Sequence, residues 1–499
     1  MSEASDASTM PVAIQLALIS HTNNGKTTLA RTLVGVDVGE VRDAAHVTVF
    51  AESHVLLTTA QGDTLQLWDT PGFGDSVRLL RRLAQSGNPV GWFLREVLDR
   101  YRDRTFWLSQ NALRTARDSA DVVLYLVNSA ENPRDAGYLP SEMKILEWLG
   151  KPVVVLLNQM GAPRPAPQEL AEQMRWQQHL EQYPIVRKVL ALDAFARCWV
   201  HERVFYDAVG SVLDAASRPG YARLFAAWET NNTERFGQAM TITTQLLLAA
   251  ARDSEPVAPE QKSLLRSALN AVGLRKGAEQ RQEQAMARLL ERLNAQIGQS
   301  TAKLLALHML DPGEAVRINA QVRHHFALRA PLDKTQAGLL GAVLSGAATG
   351  LSADLLAGGL TLGGGALLGG VIGALSFAGL AWGFNASTDR THPTVQFAGD
   401  FLDTLLVASI LRYLALAHFG RGRGNFVDEA PAFWQAEIEG ALALQAEALA
   451  RAWHAVRANG DADAHAAKAA ARLDALVTGI ATATLERLYP DAPLFRARM

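Results

Sequence analysis

Residues 16–33 read LALISHTNNGKTTLARTL. An apolar run, Val12 to Ile19, ends at Ser20; a polar turn follows, and Gly25-Lys26-Thr27-Thr28 opens a helical pattern. Strand, loop and helix in that order are what a phosphate-binding loop requires. Consecutive backbone N–H groups and the helix N-terminus make a cradle for an anion, and Lys26 adds a mobile positive charge beside the β- and γ-phosphates. The set expected to wrap the phosphates is Ser20, Asn23, Asn24, Gly25, Lys26, Thr27 and Thr28, with the Thr27 hydroxyl directed to Mg²⁺. The pattern departs from G-x-x-x-x-G-K-[ST] at its first position, where Ser20 replaces the glycine that eases a tight turn.

A second strand must then deliver a carboxylate to the metal. Leu65-Gln66-Leu67-Trp68 alternates like a strand and ends in Asp69-Thr70-Pro71-Gly72, with Asp69 placed 43 residues after Lys26. Asp69 is expected to hold Mg²⁺ through water, and the Gly72 N–H to face the γ-phosphate, where it senses hydrolysis. Lys26, Thr27, Asp69 and Gly72 are therefore the expected catalytic set. Asp121 to Asn128 (DVVLYLVN) and Pro152 to Asn158 (PVVVLLN) are continuous apolar runs, the mark of parallel strands covered on both faces. Ser141 to Leu149 between them is helical, and a last strand-like run covers Val186 to Leu192. The alternation predicts an α/β domain over 11–220, mostly parallel with flanking helices, behind a disordered 1–10.

This order of motifs resembles the translation-factor-related P-loop GTPases of the Era and TrmE type. More closely, it resembles a bacterial GTPase family with a C-terminal domain of unknown function containing a glycine-rich apolar hairpin. The resemblance implies hydrolysis of GTP to GDP and phosphate as a molecular switch. It puts Asn158 where the class reads guanine with N-K-x-D and Ala194 where a backbone donor meets the base. Gln159 and Gly161 replace the lysine and the aspartate, so the bidentate contact to guanine is missing and an ATP-preferring hydrolase stays open. Phe73 stands where a water-orienting glutamine is usual. Asn23 matches the position that coordinates K⁺ in TrmE-like members, a cation replacing an arginine finger, although turn chemistry explains it equally well. Thr48 is the candidate switch I threonine for Mg²⁺, in a stretch, His46 to Phe50, that also reads as an edge strand.

The remaining chain is organised by composition. The 499 residues carry a net charge of −2 and one cysteine, Cys198, so neither a disulfide framework nor bulk attraction to nucleic acid is expected. No secretory leader pattern precedes Val12, and the expected location is the cytoplasm or the cytoplasmic face of the inner membrane. Residues 75–118 form a helical insertion with nine arginines among aromatics, either a packed helical pair with solvated charges or a partner surface. After Gly220 no strand pattern returns, and an all-α C-terminal domain is expected: helices over 221–335, broken at Asn231-Asn232-Thr233 and Asp311-Pro312-Gly313, and again over 389–499. The latter comprises an apolar span, Phe397 to Phe419, and alanine-rich helices, Ala430 to Asn459 and Asp461 to Leu488. His454 and His465 lack metal-ligand company there.

Between them lies 336–388, expected as a glycine-rich helical hairpin. Eighteen uncharged residues precede Asp354 and 34 follow it, with Gly346 and Gly350 and then Gly365, Gly369 and Gly373 at four-residue spacing. Such spacing suits close helix packing, in a bilayer or in a soluble core. The leading expectation is a GTPase switch coupled to a membrane or an unidentified protein partner. The rival is a membrane-associated structural or pore-like protein whose nucleotide domain hydrolyses weakly.

Overall fold

Val12 to Ile19 is apolar enough to be covered on both faces, and in the computed structural model β1 (Ala13–Ser20) runs through the middle of a six-stranded sheet. The structure describes residues 10–21, 24–34, 52–70, 72–73, 76–84, 113, 116–161, 164–192, 198–257, 271–308, 384–386, 394–418, 432–458, 464–490 and 492. The sheet order is β2-β3-β1-β4-β5-β6, with β2 (Glu52–Thr58), β3 (Thr64–Asp69), β4 (Val122–Asn128), β5 (Val153–Asn158) and β6 (Val186–Ala191). All neighbours are parallel except β2, an edge strand antiparallel to β3. The runs VVLYLVN and VVVLLN are buried almost throughout, as parallel strands between two helical layers must be. β3 alternates buried and half-buried residues, which matches its place next to the edge.

The helices of this unit are α1 (Lys26–Val34), α2 (Ser76–Ala84), α3 (Leu139–Leu149), α4 (Ala166–Leu180) and α5 (Trp199–Val212). α3 stops at Gly150, whose φ of 69° is the left-handed cap that glycine tolerates; its N–H returns to the carbonyls of Leu146 and Glu147. Trp176 of α4 and Tyr125 of β4 are fully buried in one apolar cluster with Met143 and Leu146 of α3. Of the insertion's arginines, Arg117 lies with its guanidinium 4.3 Å from the Trp148 ring.

The chain divides into two units, Met1–Glu234 with His418–Val427 and Tyr489–Met499, and Arg235–Ala417 with Asp428–Leu488. The elements after α5 are α6 (Arg218–Arg252), β7 (Ser254–Pro256), α7 (Ala271–Leu307), β8 (Phe384–Ala386), β9 (Thr394–Phe397), α8 (Gly399–His418), α9 (Ala432–Ala443), α10 (Ala446–Ala458) and α11 (Ala464–Leu488). The C-terminal part is mainly helical, as expected, and four local readings are corrected. The break at Asn231-Asn232-Thr233 is absent: α6 runs straight through it, with Asn232 Nδ2 donating to the Trp228 carbonyl and Thr230 Oγ1 to that of Ala226, both at 2.9 Å. Bonding back one turn leaves these side-chain polar groups satisfied within the helix. Strands do return after Gly220: β7, β9 and β8 form a small antiparallel sheet. Strands of three or four residues are too short to display an alternating pattern.

Phe384–Ala386, near the end of the stretch expected as a helical hairpin, is the strand β8. The helix expected over Ala430 to Asn459 breaks at Leu444 and Gln445, where Leu444 is exposed and the Gln445 N–H turns back to the Leu442 carbonyl. Among the described residues α8 alone is long and apolar enough to cross a membrane, at 20 residues and mean hydropathy 1.4, and most of it is buried inside the protein. The N-terminal 1–9, the insertion residues 85–112, Asp311-Pro312-Gly313 and the glycine-rich stretch 336–383 lie outside the described residues.

Candidate functional site

β1 and β3 are parallel neighbours, so the turns after Ser20 and after Asp69 leave from the same edge of the sheet. Gly25 precedes α1 with φ of 81°, and its carbonyl accepts the Leu29 N–H at 3.0 Å to start the helix. A Cβ there would stand 2.6 Å from Asn158 Nδ2, so both conformation and space require glycine. Lys26 Nζ donates to Ser20 Oγ at 3.0 Å. The serine that departs from the glycine pattern thus receives the loop lysine. Burial lowers the Lys26 pKa, while the carboxylates of Asp69 and Glu142 pull it back up.

Thr27 Oγ1 donates to Asp69 Oδ2 at 2.8 Å, and Thr70 Oγ1 donates to the Leu18 carbonyl at 2.7 Å. The threonine hydroxyl and the carboxylate are hard oxygen donors side by side, a set that suits Mg²⁺. The Phe73 N–H donates to the Ser20 carbonyl at 3.0 Å, which places Gly72 against the loop. The Phe73 ring is fully buried in the core cluster that includes Leu79. A side chain turned into the core has no reach toward an attacking water.

Asn158, at the end of β5 and fully buried, donates from Nδ2 to the Asn24 carbonyl at 2.8 Å. Asn24 in turn donates from Nδ2 to the Leu126 carbonyl at 3.2 Å. The Asn24 side chain therefore ties the loop to β4, and Asn158 ties it to β5. Thr28 is buried on α1, its carbonyl accepting Thr32 Oγ1 at 2.8 Å. Gln159 and Gly161 both take positive φ, 59° and 80°, in the turn that follows. Asn23, Thr48 and Ala194 lie outside the described residues.

A polar cluster beside the loop went unread in the sequence. His21 Nδ1 meets Glu142 Oε1 at 2.7 Å, and Tyr125 Oη donates to Glu142 Oε2 at 2.6 Å. The His21 ring stacks on Tyr138 with centroids 4.2 Å apart, and Tyr138 Oη donates to Glu131 Oε2 at 2.8 Å. Nothing local marks Glu142, which in SEMKILEWL reads as one solvated charge of an amphipathic helix. No described group of three or more His, Cys, Asp or Glu side chains could hold a metal ion by itself.

Residues 15–159 match the family model described as 50S ribosome-binding GTPase, and residues 185–478 match the model described as Domain of unknown function (DUF3482). No curated protein matches the chain. Among solved structures, a variant of Era from Aquifex aeolicus bound to GDP·AlF4⁻ is 18% identical with a TM-score of 0.31, covering 41% of this chain and 57% of its own. The elongation factor SelB from Methanococcus maripaludis, in complex with GppNHp, is 17% identical with a TM-score of 0.23, covering 37% and 30% respectively. This chain thus spans little more than half of the Era structure and under a third of SelB. The first part of the chain carries a phosphate loop with an opposing aspartate and matches a GTPase model, and by the model over residues 185–478 the chain belongs to the DUF3482 family.

Proposed function

We propose that the protein is a guanine-nucleotide switch whose nucleotide state alters a membrane or protein contact made by its C-terminal part. The observation that carries the chemistry is the Thr27 hydroxyl at 2.8 Å from the Asp69 carboxylate, beside a buried Lys26. Lys26 is the group for the β- and γ-phosphates, Thr27 and Asp69 are the Mg²⁺ side chains, and the Gly72 N–H is the γ-phosphate sensor. Mg²⁺ held by Thr27 and Asp69 would supply positive charge to the phosphate oxygens. Because Phe73 is turned into the core, the protein orients its attacking water by other groups. Asn23 is the proposed K⁺ ligand and Thr48 the proposed switch I ligand for Mg²⁺.

Preference for guanine rests on Asn158, the Ala194 backbone and the resemblance to GTPases, since Gly161 offers no carboxylate to the base. The glycine-rich stretch 336–388 is the proposed contact element, on the cytoplasmic face of the inner membrane or against a protein. The neutral charge balance favours neither nucleic acid nor anionic lipid in bulk. The test is steady-state turnover of GTP and of ATP, in K⁺ and in Na⁺, beside Lys26→Ala. GTP turnover in K⁺ is expected to exceed that of the variant by about a hundredfold, the scale on which a charge-stabilising group acts. Equal turnover by the parent and Lys26→Ala would sink the site assignment. Faster turnover of ATP than of GTP would sink the base preference, and indifference to K⁺ only the role of Asn23.

A further inference from the structure

We propose that Glu142 is a positioning residue for nucleotide binding, holding the phosphate loop in place through the His21 imidazole. His21 is the second residue of the loop. Its backbone pairs with Phe73 in an isolated parallel bridge, and its side chain is the only link between the start of the loop and α3 that the described contacts contain. One carboxylate oxygen of Glu142 takes the His21 Nδ1 contact at 2.7 Å, and the other accepts Tyr125 Oη at 2.6 Å. Tyr125 is fully buried in the middle of β4, so the carboxylate is fixed to the sheet and the loop is fixed to the carboxylate. Tyr138 closes the opposite side of the imidazole by stacking at 4.2 Å with 13° between the ring planes.

A carboxylate with no exposed surface is costly unless its oxygens are satisfied, and a side chain needed only for packing would be better served by Leu or Met. The neighbours of Glu142 on α3 are of that kind: Met143, Ile145 and Leu146 are fully buried. Burial raises the Glu142 pKa, opposed by the hydrogen bonds from His21 and Tyr125 and by the charges of His21 and Lys26. Its position in the first turn of α3 also favours an anion. The groups facing it are thus a loop imidazole, a sheet phenol and the loop lysine, and two of the three belong to the phosphate loop. At the far end of the loop, Asn24 and Asn158 make the corresponding ties to β4 and β5. Glu142 supplies the tie at the near end, where Ser20 stands in place of the glycine of the pattern.

The inference rests on the nucleotide-binding reading, and Lys26→Ala separates the two. The measurements are the dissociation constant of a fluorescent N-methylanthraniloyl GDP and the KM and kcat for GTP. They are made on the full chain and on Lys26→Ala, Glu142→Ala, Glu142→Gln, His21→Ala and the Glu142→Ala/His21→Ala double variant. Glu142→Ala and His21→Ala are each expected to weaken binding about tenfold, and the double variant no further, because the two residues form one connection. KM should rise with kcat within about twofold of the parent, as for lost binding felt equally in ground and transition states. Glu142→Gln should recover most of the affinity, since its amide can accept from His21 and donate to the Tyr125 oxygen.

A merely structural role would lower the melting temperature of Glu142→Ala and leave the dissociation constant of the folded protein unchanged, which overturns the proposal. Losses that add in the double variant overturn it as well. Should Glu142→Ala not fold, His21→Ala, whose ring is a third exposed, carries the test: unchanged affinity there overturns the proposal. Lys26→Ala binding as tightly as the parent would overturn the nucleotide reading and this inference with it.

Discussion

Asp63, in the turn between β2 and β3, has all of its acceptor capacity engaged. Oδ1 takes the Val12 N–H at 3.0 Å and Arg223 Nη2 at 2.6 Å; Oδ2 takes Thr59 Oγ1 at 2.8 Å and Arg223 Nε at 2.7 Å. These hydrogen bonds, the Arg223 pair first among them, hold its pKa at about 2, below the ordinary 3.8. A carboxyl whose folded pKa lies below its unfolded value contributes stability that is complete above 3.8 and lost as pH falls toward 2. Asp63→Asn is therefore expected to cost about 2 kcal/mol at pH 6 in urea unfolding, the scale of hydrogen bonds to a charged group. The gap should shrink steadily between pH 4 and pH 2. A gap that does not change with pH would show that the carboxylate charge is not what the site uses. Nothing in the sequence marked this residue: its partner Arg223 lies 160 positions away, and in a turn an aspartate is ordinary.

At the scale of elements, the central strands β1, β4 and β5 were legible because they are covered on both faces, so composition alone reveals them. β3 was legible by its alternation and β6 by a strand-like run, and the loops that carry Lys26 and Asp69 leave from the adjacent strands β1 and β3. The edge strand β2, the three-residue strands β7 and β8, and the uninterrupted α6 were not legible. β2 lacks a long apolar run, very short strands lack a period, and a cluster of polar residues such as Asn231-Asn232-Thr233 reads as a break although α6 runs through it. Glu142 escaped for a related reason, since a buried charge is recognised only once its partners are known.

Arg412 on α8 is a second such charge. Its guanidinium donates to Thr301 Oγ1 of α7 at 3.1 Å and reaches Ser409 Oγ at 3.5 Å, with no carboxylate partner among the described residues. Burial pulls its pKa down to about 10. Arg412→Met should leave the thermal stability unchanged or raise it by about 1 kcal/mol, since an unpaired buried charge costs more than an apolar side chain of similar length. A loss of more than about 1 kcal/mol in a thermal melt would contradict that balance.

For the whole molecule, the question is what the helical part does with the nucleotide cycle. Fractionation of cells producing the full chain and a variant lacking 336–380 tests the proposed contact element. The cut stops short of 384 because β8 pairs with β9 and its loss would disturb the small sheet. The full chain is expected with the membranes and the variant in the soluble fraction; the same distribution for both would remove the membrane from the proposal. The backbone pairing between Ser20 and Phe73 has a consequence for kinetics in solution. The Phe73 amide is held from solvent deuterium while the turn after Asp69 lies against the phosphate loop. Its exchange rate, followed in the apo, GDP and GTP-analogue states, therefore reports how often that turn leaves the loop. Slow exchange without nucleotide would identify the closed arrangement as a resting state that GTP has to unlock.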